Sequence, residues 1–185
     1  MGLGKLDAAD QFMNKACNLE KNWPECWNNY SVLAYKMGQY KKSVSFADKA
    51  LEVFSYQTPH LALANRAQAL MELGKNNLAR IDLEKAKELD DKDCTLRLIL
   101  GKLHLRRPAT ENARTEIQVA LALCMNDPRL HLWEAYLFFH EGKLEKTKAK
   151  YKYVINRFPR SSAVEIAINS LNNIKKNLAP EEPPI

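Results

Sequence analysis

Four cysteines, Cys17, Cys26, Cys94 and Cys124, are the residues of this 185-residue chain with most chemistry to offer. None lies in a Cys-x-x-Cys pair, so the spacing of zinc ribbons and dithiol oxidoreductases is missing, and three disulfide connectivities stand open. His60, His104, His131 and His140 fall on different turns, with no His-Glu-x-x-His and no acidic companion at ligand spacing. They read as surface or packing residues. No phosphate-binding glycine loop, dinucleotide fingerprint or nucleophile elbow occurs. The carboxylate pairs Asp90–Asp91 and Glu181–Glu182 lie in a linker and a tail, where nothing would hold them against a substrate. The chain reads as non-enzymatic, with no catalytic residue, cofactor or metal.

The elements that position these residues are amphipathic helical segments in repeated pairs. The unit is WNNYSVLAYKMGQYKKSVSFADKAL, from Trp27 to Leu51, two segments hinged at Gly38. Counting from the hinge, the residue five places on is small and the residue twelve places on is Ala50. The same offsets recur from Gly4 (Ala9, Ala16), Gly74 (Ala79, Ala86), Pro108 (Ala113, Ala120) and Gly142 (Thr147, Val154), so the spacings are 34, 36, 34 and 34 residues. Nine places on lies an apolar column, Met13, Ala47, Leu83, Ile117 and Tyr151, and seven places before the hinge sit Ser31, Ala67, Gly101 and Ala135. Small residues at fixed places let paired helices approach closely. Pro108, standing where the hinge glycine is expected, predicts a stiffer turn.

This pattern resembles the tetratricopeptide repeat, whose period is about 34 residues. The resemblance implies an all-α fold, a right-handed superhelix of antiparallel helix pairs sharing one continuous core. It divides the chain into a half repeat at 1–22, four full repeats over about 23–159 and a capping helix at about 161–178. The residues 179–185, PEEPPI preceded by Ala179, form a proline-rich acidic tail expected to be disordered. In that register Cys17 ends one second helix as Cys26 opens the next first helix, while Cys94 begins and Cys124 ends one antiparallel pair. The pairing Cys17–Cys26 and Cys94–Cys124 therefore joins places the repeat makes adjacent, and it would imply an oxidising compartment such as a periplasm. Four free cysteines buried in helix packing are the other reading.

Bulk properties exclude other classes. With 46% hydrophobic residues the chain suits one domain with a substantial core, and no apolar run approaches a membrane span, so the chain as it stands reads as soluble. The net charge of +6 is modest and spread out. Its densest part, Lys143, Lys146, Lys148, Lys150 and Lys152, wraps around a helix instead of forming a stripe, which reads as a solvated face. Tyr151 falls in the packing column, so no nucleic-acid surface is expected. No signal peptide is visible at Met1, and the opening half repeat suggests that upstream residues were removed.

In superhelices of this family the first helices line the concave side. The corresponding places here are Glu25, Asn28, Val32, Tyr35 and Lys36, then Leu61, Ala64, Gln68, Met71 and Glu72, then Thr95, Leu98, Lys102, Leu105 and Arg106, and finally Arg129, Leu132, Tyr136, Phe139 and His140. Of these, Asn28, Val32, Tyr35, Gln68, Met71, Lys102, Leu105, Tyr136 and Phe139 are the expected partner-binding residues, forming an apolar and aromatic groove for a hydrophobic or amphipathic peptide.

A finer likeness rests on about fifty residues. WNNYSVLAY, the turn GQYKKSV and the lengthened linker with Tyr56 and Pro59 look like the outer-membrane lipoproteins of type IV pili, the pilotins PilF, PilW and Tgl. Asn28, Asn29 and Tyr30 occupy similar places to the family's, but Ser31 replaces its usual glycine and two residues separate Tyr56 from Pro59. The likeness implies a periplasmic scaffold, lipid-anchored upstream of Met1 on none of the four cysteines, that helps secretin subunits assemble or reach the outer membrane. The competing expectation is a cytosolic adaptor scaffolding another complex. Oligomeric state is not readable from the residues.

Overall fold

The computed structural model describes residues 3–106 and 110–185, and only the backbone of residues 3–5; the turn expected at Pro108 lies outside the described residues. Among them there are ten helices and no strand: α1 (Leu3–Leu19), α2 (Pro24–Lys36), α3 (Tyr40–Leu51), α4 (Pro59–Glu72), α5 (Asn76–Leu89), α6 (Cys94–Leu105), α7 (Thr110–Leu123), α8 (Pro128–His140), α9 (Leu144–Arg157) and α10 (Ala163–Lys175). The fold class is the one expected, all-α with antiparallel helix pairs. α1 begins at Leu3, so Gly4 is helical and not a hinge. α3 stops at Leu51, and Phe54 in the linker beyond it has its side chain in solvent.

Helix starts follow local chemistry. α2, α4 and α8 open on Pro24, Pro59 and Pro128, at a position that needs no amide donor. Asp93 caps α6 by accepting from the amides of Thr95 and Leu96 at 2.8 and 3.2 Å, and Asp127 caps α8 through Arg129 N at 2.9 Å. Three first helices end in the same turn. Gly38, Gly74 and Gly142 have φ of +72°, +73° and +72°, a backbone region that favours glycine. Each turn carries the paired bonds of a Schellman motif, as in Gln39 N to Ala34 O and Gly38 N to Tyr35 O, both 2.9 Å.

The chain divides into two compact units, Met1–Asp91 and Lys92–Ile185. In the first, α2 pairs with α3 and α4 with α5, and α2 lies beside α4. Ser31 Oγ hydrogen-bonds Ser43 O at 2.8 Å, which shows how closely the small columns bring α2 and α3 together. The core under α1 contains Cys17, Cys26, Trp27, Tyr30, Ala50, Tyr56 and Ala62. The lengthened linker thus has a packing role, because it delivers Tyr56 into that cluster. Cys17 and Cys26 are joined by a disulfide with a Cα–Cα distance of 5.6 Å, tying α1 to α2. By loop entropy such a bridge contributes about 2 to 3 kcal/mol.

In the second unit α6 pairs with α7 and α8 with α9, α10 packs on α9, and α8 touches both α6 and α10. Leu98, Ala113, Ile117, Ala120, Leu130, Trp133 and Leu137 form one core cluster; Leu132, Ala135, Tyr151, Val154, Ala163, Ala167 and Ile174 form the next. A Cβ added at Gly101 would meet Ile117 Cγ1 at 2.9 Å, so the small residue lets α6 and α7 close. The Cys94–Cys124 disulfide, with Cα atoms 6.2 Å apart, joins the start of α6 to the end of α7 and contributes about 3 to 4 kcal/mol.

The residues after α10 depart from expectation. α10 ends as the other first helices do, with Leu178 N bonding Asn173 O at 2.9 Å and Asn177 N bonding Ile174 O at 3.1 Å. Asn177, at φ +58°, takes the place of the hinge glycine. No second helix follows among the described residues, because Pro183 and Pro184 lack the amides a helix interior needs. Instead of the disorder expected at 179–185, Pro180 and Pro183 are buried and Ile185 is half-buried in the α6–α8 core. Composition argued for a free chain; a nearby apolar face recruits it.

Candidate functional site

The expected partner-binding residues fall on the first helices, and each unit presents its own set. In the first unit α2 and α4 stand side by side. Asn28 is buried, and its Oδ1 accepts from Asn65 Nδ2 at 2.9 Å across the two helices. Val32, Tyr35 and Gln68 are half-buried, with the Tyr35 ring 5.4 Å from that of Tyr40. Met71 corrects the expectation: it is 1% exposed, as its long thioether folds into the packing and does not stand out to a partner. Ala64 is likewise core. Beside this face Arg66 holds α4 to both second helices, with bidentate bonds of 2.8 and 2.7 Å to Asp82 on α5 and one of 2.6 Å to Asp48 on α3. The hydrogen bonds to Asp82 raise the Arg66 pKa further despite partial burial, so the guanidinium stays charged at any working pH.

In the second unit Leu98 and Leu132 are fully buried and cannot contact a partner, while Lys102, Leu105, Tyr136 and Phe139 remain on the face. The structure brings the first three together. Lys102, Leu105 and Tyr136 surround a small cavity of about 70 Å³ with Arg106, Trp133, His140 and Glu182. Tyr136 packs edge-on against Trp133 and His140, with centroids 5.6 and 4.6 Å apart, and burial together with the Glu182 charge pushes its phenol pKa up. Phe139 stands apart from this group, near His140 at 6.1 Å.

What sequence reasoning missed is the occupant. The 179–185 segment lies across this face, touching three first helices in turn. Glu181 N donates to Ser170 Oγ on α10 at 3.2 Å, Trp133 Nε1 on α8 donates to Pro184 O at 3.1 Å, and Lys102 Nζ on α6 pairs with Glu182 Oε1 at 2.9 Å. Ile185 packs against the core cluster that contains Leu98, Leu130, Trp133 and Leu137. The signal was present, since a carboxylate pair between prolines complements a face bearing Lys102 and Arg106. Periodicity cannot report such a contact.

His131 and Tyr151 have packing roles. His131 Nε2 meets Met125 O at 2.8 Å and the ring stacks on Phe158 at 5.5 Å; burial holds its pKa below the usual 6.5. Tyr151 is fully buried in the packing column, with its pKa pushed up to about 12 by burial. Among the described residues no group of three or more His, Cys, Asp or Glu could hold a metal ion, and no helix is long and apolar enough to cross a membrane.

A tetratricopeptide repeat family model matches residues 24–55 and 61–93, the two hairpins α2–α3 and α4–α5. These hairpins are tetratricopeptide repeats. Solved structures of similar fold include PilW, described as a widely conserved type IV pilus biogenesis factor, at 18% identity and TM-score 0.73, over 88% of this chain and 74% of that one. PilF of Pseudomonas aeruginosa matches at 16% identity and TM-score 0.66, over 85% and 71%. A thermophilic tetratricopeptide repeat protein of Thermus thermophilus matches at 19% and 0.80, over 92% of each chain. No curated protein matches the chain. The likeness of the chain to PilW and PilF is a likeness of fold.

Proposed function

We propose that this chain is a non-catalytic periplasmic scaffold of the pilotin kind, working at the outer membrane, where it assists assembly or localisation of a type IV pilus secretin by holding a segment of the secretin subunit on its first-helix faces. The observation that carries the reading is the seating of a polypeptide segment on α6, α8 and α10: the face holds chain through a backbone carbonyl, a carboxylate and an apolar side chain. The fold shared with PilW and PilF directs that capacity toward pilus biogenesis. Two disulfides suit an oxidising compartment.

The test is genetic and biochemical. In cells deleted for this chain, heat-resistant secretin multimers should fall and monomer accumulate. Wild-type chain should restore them, while a Tyr35→Ala, Gln68→Ala variant of normal helicity should not. Full multimers in the deletion strain would overturn the pilotin reading. Alkylation of all four cysteines in intact cells without reductant would overturn the periplasmic placement and leave a cytosolic adaptor for another complex.

A further inference from the structure

The 179–185 segment is held in the way a bound peptide would be. Its contacts alternate between sequence-tolerant and sequence-specific ones. The Glu181 amide on Ser170 and the Pro184 carbonyl on Trp133 are backbone bonds that any sequence could make. Glu182 on Lys102 and Ile185 against the apolar cluster that contains Leu98 and Trp133 ask for a carboxylate followed three residues later by an apolar side chain. Pro180, Pro183 and Pro184 bring no amide donor that the apolar face would leave unsatisfied, and they restrict the free chain, so little entropy is lost on docking. Aromatic rings beside prolines are the usual setting for such recognition. Charge agrees, because Arg106 lines the same cavity as Lys102 and Glu182.

We propose that the inner face of α6, α8 and α10 is a peptide site whose resident occupant is the chain's own 179–185 segment, and that a partner enters by displacing it with an acidic, proline-bearing segment of the same pattern. The site selects carboxylate-x-x-apolar and is masked until such a segment arrives. The inference rests on reading the chain as a protein-binding scaffold, and it holds for any partner of this chemistry. Because α10 and the segment are joined through Lys176, Asn177 and Leu178 alone, the occupant acts at an effective concentration on the order of millimolar. A partner in trans must overcome that tether, either by tighter contacts or by engaging a second face.

The experiment uses a peptide of sequence LAPEEPPI, residues 178–185, carrying fluorescein on its N-terminal amine and a C-terminal amide, and reads fluorescence anisotropy. It should bind a chain lacking residues 179–185 at least about tenfold more tightly than the full chain, the expected result of removing a tethered competitor. Lys102→Glu in the shortened chain should weaken the peptide at least about tenfold, and a peptide with Lys at the Glu182 place should recover most of that loss. Should the shortened chain lose helicity, the full-length Glu182→Lys, Ile185→Asp variant replaces it; there the segment should lift from the face, the peptide should bind, and Trp133 emission should shift to the red. Equal binding to masked and unmasked chains, or no binding to a folded unmasked chain, would overturn the proposal. No pilus component is involved, so a negative result here and a negative secretin result are separate outcomes.

Discussion

In the first unit the face formed by α2 and α4 is tied by polar side chains. Asn65 reaches Asn28 between the two helices, and Arg66 ties α4 to Asp48 and Asp82 on the flanking second helices. In the second unit the equivalent helices α6 and α8 meet a segment of the chain itself, through Lys102, Trp133 and an apolar cluster. The two faces come from one repeat register, yet one is organised by fixed hydrogen bonds and the other by a ligand-like strap. A repeat therefore fixes where a face lies and leaves the face's chemistry to the residues that vary between copies.

Substitutions in either unit probe that contrast. The largest effect is expected from Trp133→Ala, which removes a fully buried indole and the donor to Pro184 O; it should cost about 3–5 kcal/mol in denaturant unfolding, with amide exchange speeding most in α6 and α8. Unchanged stability would show that the strap and core around Trp133 are not packed as described. Next come the disulfides. Cys94→Ser with Cys124→Ser should lower stability by about 3 to 4 kcal/mol, and Cys17→Ser with Cys26→Ser by about 2 to 3 kcal/mol, because the second pair closes a shorter loop. A reversed order would count against the loop-entropy account.

Asp82→Asn tests the polar clamp of the first unit. Asp82 is 4% exposed, and losing its charge leaves Arg66 with Asp48, so about 1.5–3 kcal/mol of stability should go, measured by urea unfolding. At the hinge that launches the strap, Asn177→Val should cost about 1–2 kcal/mol, since a β-branched residue is disfavoured at positive φ, whereas Asn177→Gly should be near neutral. The smallest effect concerns pH. His131 titrates below 6.5 when folded, so the unfolded chain binds the proton more readily; the stability it contributes is present above pH 6.5 and is lost as pH falls through the depressed value. Asp127, Glu134 and Lys150 act on the same ring. A His131→Gln variant should therefore show a flatter fall in melting temperature from pH 7 to pH 5.

Much of this was legible in the residues. The helix pairs follow from the small columns at Ser31, Ser43, Ala67 and Ala79, and the hinges from Gly38, Gly74 and Gly142, because only certain residues tolerate close approach or positive φ. The cysteine pairs could be placed for the same reason: helix ends that the repeat brings together need no further information. Site reading was partial. Lys102, Leu105 and Tyr136 were expected on a shared face and are gathered there, whereas Met71 is consumed by packing and Glu182 and Ile185 were set aside as a free tail.

Local and periodic features could be read from the order of amino acids alone: the pairing of helices, the hinges at Gly38, Gly74 and Gly142, and which stripe of each helix turns inward, since each depends on neighbours within a turn or one repeat. Which exposed stripe stays available and which is covered was settled in three dimensions. That outcome depends on a segment with no periodicity of its own meeting charge and apolar surface contributed by three separate helices, from α6 to α10, and no local propensity encodes such a meeting.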